Sequence, residues 1–234
     1  MNGRICKALA IVALAGGAVL TTATDATAQI RFGMYGAANY NTIQAHMQDF
    51  IPGIGGGPLS SNDFNGSTGI GAYAGLLGAY MIDDRVATVL RASYDQRNAE
   101  METNGSKLAT HLSYITIQPG IQVNLGDSPL HLMVGPTMGI KLAGNYTYTA
   151  PVTEPSQDVN NGRINNVRSV VFGGWGGLGY DFTLNRPGTQ AALFLTPFIE
   201  GDYLIDQIDP VDPASTAVMN TLTARLGLQV TMQF

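Results

Sequence analysis

The feature that most restricts the fold is the alternation running from Leu222 to Phe234. Leu222, Ala224, Leu226, Leu228, Val230, Met232 and Phe234 share one parity, and Thr223, Arg225, Gly227, Gln229, Thr231 and Gln233 share the other. Successive side chains of a strand point to opposite faces, so this segment carries one apolar face and one almost wholly polar face. It outruns the usual strand of about 5–6 residues and meets the length of about 9–11 that crosses a bilayer at a tilt. The expectation is a strand with lipid on its apolar side and a barrel interior on its polar side. Phe234, the aromatic at the edge of the apolar face, is expected to act as the C-terminal signal read by a barrel-assembly machinery.

At the other end, Arg4 and Lys7 precede an apolar run from Ala8 to Leu20, and Ala26-Thr27-Ala28 is a small-x-small cleavage site. This is the pattern of a cleaved export signal over residues 1–28, too short for a comfortable membrane helix of about 20 residues. Cleavage there leaves 206 of 234 residues, as one domain over residues 29–234, and removes the only cysteine, Cys6. No disulfide or thiolate metal site is then available. The remaining chain has 10 basic and 16 acidic residues, which excludes the basic face that nucleic acid requires. Charged residues make up only 12% of the chain and glycines number 29, a balance suited to an all-β membrane protein.

Seven further segments read as strands: 32–40, 70–82, 86–97, 111–125, 130–148, 169–182 and 191–205. The connections between the eight alternate. Those at 42–68, 98–107, 149–167 and 206–217 are long and polar; those at 83–84, 126–128 and 184–188 are short. Bacterial outer-membrane barrels have short periplasmic turns and longer extracellular loops. Phe32, Tyr80, Phe182 and Phe234 fall on the outward parity near one end, and Tyr40, Tyr94, Tyr148 and Tyr203 near the other, as two interfacial girdles would. Arg91, Asp95, Arg97, Lys141, Asp181, Glu200, Asp202 and Arg225 all oppose the apolar parity. In a soluble barrel, which turns its apolar parity inward, such alternation would be reversed, and so many core charges would be costly. The predicted fold is an all-β, eight-stranded antiparallel up-and-down transmembrane β-barrel.

Four motifs carry a family resemblance: Gly33-x-x-Gly36-Ala37-Ala38-Asn39, Tyr114-Ile115-Thr116-Ile117-Gln118-Pro119, Val134-Gly135-Pro136, and Gly177-Leu178-Gly179-Tyr180-Asp181. In order and spacing the chain resembles the outer-membrane β-barrel domain of the PorT-like type, with an OmpA/OmpX-like architecture. That resemblance implies location in the outer membrane of a Gram-negative bacterium and no particular substrate.

Candidate sites are few. Gly174-Trp175-Gly176-Gly177-Leu178-Gly179 matches a dinucleotide-binding pattern, but that chemistry needs a following helix, and here the glycines lie inside a strand. They are read as a bend or close-packing site in a small barrel. His111 and Ser113 share one face and have the spacing of the pair in lipid A deacylase barrels, which faces lipid. Here the pair is assigned to the interior, opposite Ile115 and Ile117, and is read as polar packing. Arg91, Lys141, Glu200, Asp202 and Arg225 form the expected interior polar cluster, which pairs within itself or lines a narrow pore. Asp206, Asp209, Asp212, Glu154 and Asp158 are read as solvated loop acids, without the ligand spacing of an EF-hand.

The expected role is structural or surface-interacting, not enzymatic, with no cofactor and no metal. Its expected partners are outer-membrane lipid, the assembly machinery at the C-terminal strand, and an extracellular ligand or protein met by loops 42–68 and 149–167. A narrow channel or small-ligand barrel and a barrel lipase or deacylase are the alternatives.

Overall fold

The computed structural model describes residues 29–46, 63–103, 106–149, 158–164, 167–185, 191–205, 207 and 219–234. The export signal, the centre of loop 42–68, most of 206–217, the turn at 186–188 and Glu154 lie outside the described residues. The strands are β1 (Ile30–His46), β2 (Asp63–Met81), β3 (Val86–Thr103), β4 (Ser106–Asn124), β5 (Leu130–Thr149), β6 (Val159–Arg163), β7 (Val170–Tyr180), β8 (Phe182–Thr183), β9 (Ala192–Ile205) and β10 (Asn220–Gln233).

Eight of them pair antiparallel in the order β10-β1-β2-β3-β4-β5-β7-β9, and β9 pairs back onto β10. The sheet therefore closes on itself. The short β6 adds to β5, and β8 to β9. Closure satisfies every wall strand on both sides, which is what a spanning sheet needs where no water can bond its edges.

The parity read from the sequence sorts the two faces. Ile70 (71% exposed), Leu226 (69%), Leu76 (66%) and Met34 (64%) stand outward, while Arg91, Arg97 and Arg225 lie inward and fully buried. An outward apolar belt of this kind is suited to lipid. Tyr40, Tyr94 and Tyr203 project outward near the end with long connections, and Phe32, Phe182 and Phe234 near the end with short turns. The short turns are built as expected. Asp83 Oδ1 accepts the backbone N–H groups of Arg85 and Val86 at 2.7 Å each, and Gly126 takes the left-handed conformation, φ 67°, that glycine tolerates best.

Three expectations need correction. First, the segment 98–107 is no long loop: β3 continues to Thr103 and β4 begins at Ser106, with Thr103 opposite Ser106. Its polar residues are strand residues beyond the apolar belt, where both faces tolerate polarity. Likewise β1 and β2 stay paired from Thr42 to His46 and from Asp63 to Thr68, and β6 occupies part of 149–167.

Second, Tyr148 is not part of a girdle. A bulge between Ser113 and Tyr114 shifts the register of β4 against β5, so that beyond Lys141 the facing of β5 changes. Tyr148 pairs with the inward Leu108 and is buried, and Asn145, assigned inward by parity, lies opposite the outward His111.

Third, His111 and Ser113 do not face the interior. They share parity with Ile115, and His111 is exposed on the outer wall. The intervening inward positions are Leu112 and Tyr114, both buried.

The interior is filled in layers. At the long-connection end Ile43, Leu108, Leu112, Tyr114, Tyr148, Ile164, Val167, Val171, Leu204 and Met219 form one apolar cluster. Toward the short turns, Tyr35, Tyr73, Leu77, Ala79, Val89 and Phe198 form another. The charged residues lie between them.

Candidate functional site

The alternation of β3 puts Arg91, Asp95 and Arg97 on one inward row, that of β9 adds Glu200 and Asp202, and β10 adds Arg225 directly opposite Glu200. Arg225 is the hub. Its Nη1 donates to Glu200 Oε1 at 2.5 Å, its Nη2 to Asp95 Oδ2 at 2.8 Å and its Nε to Asn39 Oδ1 at 3.2 Å. Arg97 donates twice to Asp95 Oδ2, at 2.9 and 2.7 Å, and once to Asp202 Oδ1 at 2.5 Å. Arg91 Nη1 donates to Glu200 Oε2. The side chains of all six are 0% exposed. Three guanidinium groups therefore face three carboxylates, and the sealed cluster is neutral.

Neutral partners complete it. Gln118 Nε2 and Thr137 Oγ1 donate to Asp202 Oδ2 at 3.1 and 2.7 Å, and Tyr73 OH donates to Gln118 Oε1 at 2.5 Å. Asn39 Nδ2 donates to Asp95 Oδ1 at 2.8 Å. Arg91 makes fewer hydrogen bonds: its Nε and Nη2 have no acceptor. Its guanidinium instead sits among ring faces, 4.2 Å from Tyr35, 4.9 Å from Trp175, 5.5 Å from Phe198 and 5.6 Å from Tyr73. A desolvated cation over aromatic faces gains from their quadrupoles, up to about 2 kcal/mol or more. Arg225 similarly lies 4.0 Å over Tyr73. With Asn39 on β1, Tyr73 on β2, Gln118 on β4, Thr137 on β5 and Trp175 on β7, the cluster draws on all eight strands of the ring.

Of the residues expected here, Arg91, Glu200, Asp202 and Arg225 come together. Lys141 does not join them. It sits beside the β4–β5 bulge, and its Nζ donates to the carbonyl of Val167 on the link between β6 and β7. Asp181 also lies apart, at the short-turn end, where Arg31 Nη1 donates to its Oδ2 at 2.7 Å and Thr196 to its Oδ1 at 2.5 Å. Asn39, Tyr73, Gln118, Thr137 and Trp175 were missed as members of the cluster. Their inward parity was legible, but nothing in one sequence says which inward residues share a level of the barrel.

Of the motif glycines of β7, Gly177 and Gly179 are close-packing positions, where a side chain would run into Ile199 O and the His131 ring, whereas at Gly174 and Gly176 it would meet only ordinary contacts. Gly135 passes directly against the carbonyl of Pro119, and Gly120 leaves room for the ring of Trp175, whose Nε1 donates to Pro119 O at 3.4 Å. Two of the four motifs quoted above, at Pro119 and Gly135, thus meet in one patch of wall beside the Trp175 ring that covers Arg91.

On the outer wall, His111 Nδ1 lies 3.1 Å from Asn98 Oδ1, and Asn98 Nδ2 donates to Ile70 O at 2.8 Å. Ser113 follows His111 on the same face, opposite Gln96.

A closed eight-stranded ring with an apolar outer belt and a sealed ionic core defines a transmembrane β-barrel. Residues 23–204 match the family described as outer membrane protein beta-barrel domain, and the chain belongs to that family. Its place is accordingly the outer membrane. Solved structures with similar folds include the neisserial surface protein A, at 13% identity and a TM-score of 0.37, covering 86% of this chain and 97% of that one. The attachment invasion locus protein Ail of Yersinia pestis is 9% identical in its complex with a heparin analogue, with a TM-score of 0.35, covering 86% and 98%. The outer membrane protease OmpT of Escherichia coli is 10% identical, with a TM-score of 0.39, covering 92% and 99%. No curated protein matches the chain.

Proposed function

We propose that this protein is a closed outer-membrane barrel of structural or surface-interaction role, acting through its extracellular end and not as a conduit. The carrying observation is the neutral, fully buried cluster of Arg91, Arg97, Arg225, Asp95, Glu200 and Asp202, under an apolar cluster that fills the barrel toward the long connections. An ion crossing this interior would have to break buried pairs whose loss costs several kcal/mol. An eight-stranded ring has room for its own side chains and little more. The channel reading, built on Arg91, Lys141 and Glu200, loses its lining when two of these three residues are occupied in pairing and the third lies apart.

The test is conductance of the refolded protein in planar bilayers. A silent membrane, with folding verified on the same sample, is the expected result. Reproducible unitary steps would overturn the proposal in favour of a narrow channel.

Within the family, the PorT-like type is the finer reading, supported by the order and spacing of the Gly33–Asn39, Tyr114–Pro119, Val134–Pro136 and Gly177–Asp181 motifs. Export through cleavage after Ala28, a belt of outer-membrane lipid, and recognition of β10 with Phe234 by the assembly machinery belong to the same proposal. Phe234 extends the outward row of Leu228, Val230 and Met232 and is 64% exposed. An extracellular ligand or protein would meet the loops above β1–β2 and β5–β7.

A further inference from the structure

Gln29 immediately precedes β1, at the end of the barrel with short turns, and both of its carbonyl groups are engaged. Its backbone oxygen accepts the N–H of Met81 at 3.0 Å, and the next carbonyl, Ile30 O, accepts the N–H of Phe234 at 3.0 Å. The chain is thus tied to β2 and β10 from Gln29 onward. The side-chain Oε1 of Gln29 accepts a hydrogen bond from Gln233 Nε2 on β10, and the residue is otherwise exposed.

Arg31 sets the direction of that side-chain bond. Its Nε donates to Gln233 Oε1 at 2.5 Å, its Nη1 donates to Asp181 Oδ2 at 2.7 Å, and its guanidinium lies 4.4 Å over the ring of Phe194. A guanidinium only donates, so Gln233 turns its oxygen toward Arg31 and its amide nitrogen toward Gln29. An amide nitrogen only donates in its turn, so Gln29 meets it with Oε1 and directs its own side-chain nitrogen elsewhere.

A glutamine whose α-nitrogen is a free amine carries a nucleophile and an electrophile in one residue. An α-amine titrates near neutrality, unlike a lysine, so a share of it is unprotonated and able to attack. Attack on the side-chain carbonyl carbon, Cδ, moves charge onto Oε1. The Gln233 donor already stands at that oxygen, where it stabilises the charge as it develops.

We propose that Gln29, once freed by cleavage after Ala28, is a modification site that cyclises to pyroglutamate, with Gln233 donating to Oε1 and Arg31 positioning Gln233. The proposal rests on the export reading given under the proposed function. The bond from the α-nitrogen to Cδ forms, the bond from Cδ to Nε2 breaks, and ammonia leaves with the proton that the amine gives up. No oxidant or other reactant enters. The lactam keeps Oε1 as an acceptor for Gln233, removes a positive charge two residues from Arg31, and closes the chain to aminopeptidases.

The first experiment is mass spectrometry of the N-terminal peptide of the protein purified from outer membranes. A peptide that begins at Gln29 and is lighter by one ammonia is the expected result. A peptide that begins at Gln29 with its ammonia retained would overturn the cyclisation and leave the export reading standing; a different first residue would overturn both. The second experiment follows loss of ammonia in the refolded mature chain with Gln29 newly freed, folding being verified for every variant by heat-dependent gel mobility. Folded wild type should cyclise about 2- to 10-fold faster than folded Gln233→Leu or Gln233→Glu, the factor that one hydrogen bond supplies. Gln233→Glu keeps the shape of the side chain but offers only acceptors. Arg31→Leu should also slow the reaction, and Arg31→Lys, which still donates to Gln233, should restore it. In urea all these chains should react at one rate. Equal rates for the folded wild type and both Gln233 variants would overturn the assignment of Gln233.

Discussion

Replacing Arg225 by methionine is the sharpest test of the ionic core. Arg225 is buried and bonds Glu200, Asp95 and Asn39 at 2.5, 2.8 and 3.2 Å, with Tyr73 beneath it at 4.0 Å. Methionine fills much of the volume but leaves three carboxylates facing two guanidinium groups in a sealed space. Removing one member of a buried ion pair costs about 3–5 kcal/mol, since the partner's desolvation is no longer offset. At about 1.36 kcal/mol per decade, that is a factor of about 10²–10⁴ in the folding equilibrium. The second change Glu200→Gln restores neutrality, with Arg91 and Arg97 against Asp95 and Asp202, and should recover about 1–3 kcal/mol beyond additivity. The assay is urea-dependent folding into phospholipid vesicles, followed by the fluorescence of Trp175, the chain's single tryptophan, which lies 4.9 Å from Arg91. If Arg225→Met is within about 0.5 kcal/mol of wild type, the cluster is not a coupled network and the reasoning fails.

Leu226→Lys puts a charge on the outward face near the middle of β10 and should destabilise folding into vesicles by about 2–4 kcal/mol, read from the same titration. Gly135→Val should impair folding by about 1–3 kcal/mol or more, because its side chain would run into the carbonyl of Pro119; the folded fraction on unheated gels measures it. Arg91→Met should shift the emission of Trp175, which loses the cation over its ring, while leaving the mobility of the folded band unchanged.

Much of the fold was legible because one rule, alternation, acts on every strand. It placed Leu226 outward and Arg225 inward, and it put Arg91, Glu200 and Asp202 on the interior face. It failed where the backbone breaks period: the Ser113/Tyr114 bulge turned Tyr148 inward and Asn145 outward, and a bulge leaves no fixed mark in one sequence. His111 and Ser113 were misplaced for another reason, because they follow the parity of Ile115 and not of Thr116. The cluster was only partly legible. Parity gives the face of a residue, whereas membership depends on strand register around the ring. Register brings Trp175 opposite Asp202 and leaves Lys141 beside Tyr114.

The central claim is that the outward apolar belt meets lipid and the charged residues are sealed inside a closed ring. Gel mobility of the protein extracted in detergent, with and without boiling, tests it most directly, with circular dichroism of the unboiled sample. A closed ring with all its wall strands paired should migrate as a compact species that shifts on boiling, with a β spectrum. A protein that stays soluble without detergent and shows no shift would contradict the account, since its apolar parity would then have to face inward.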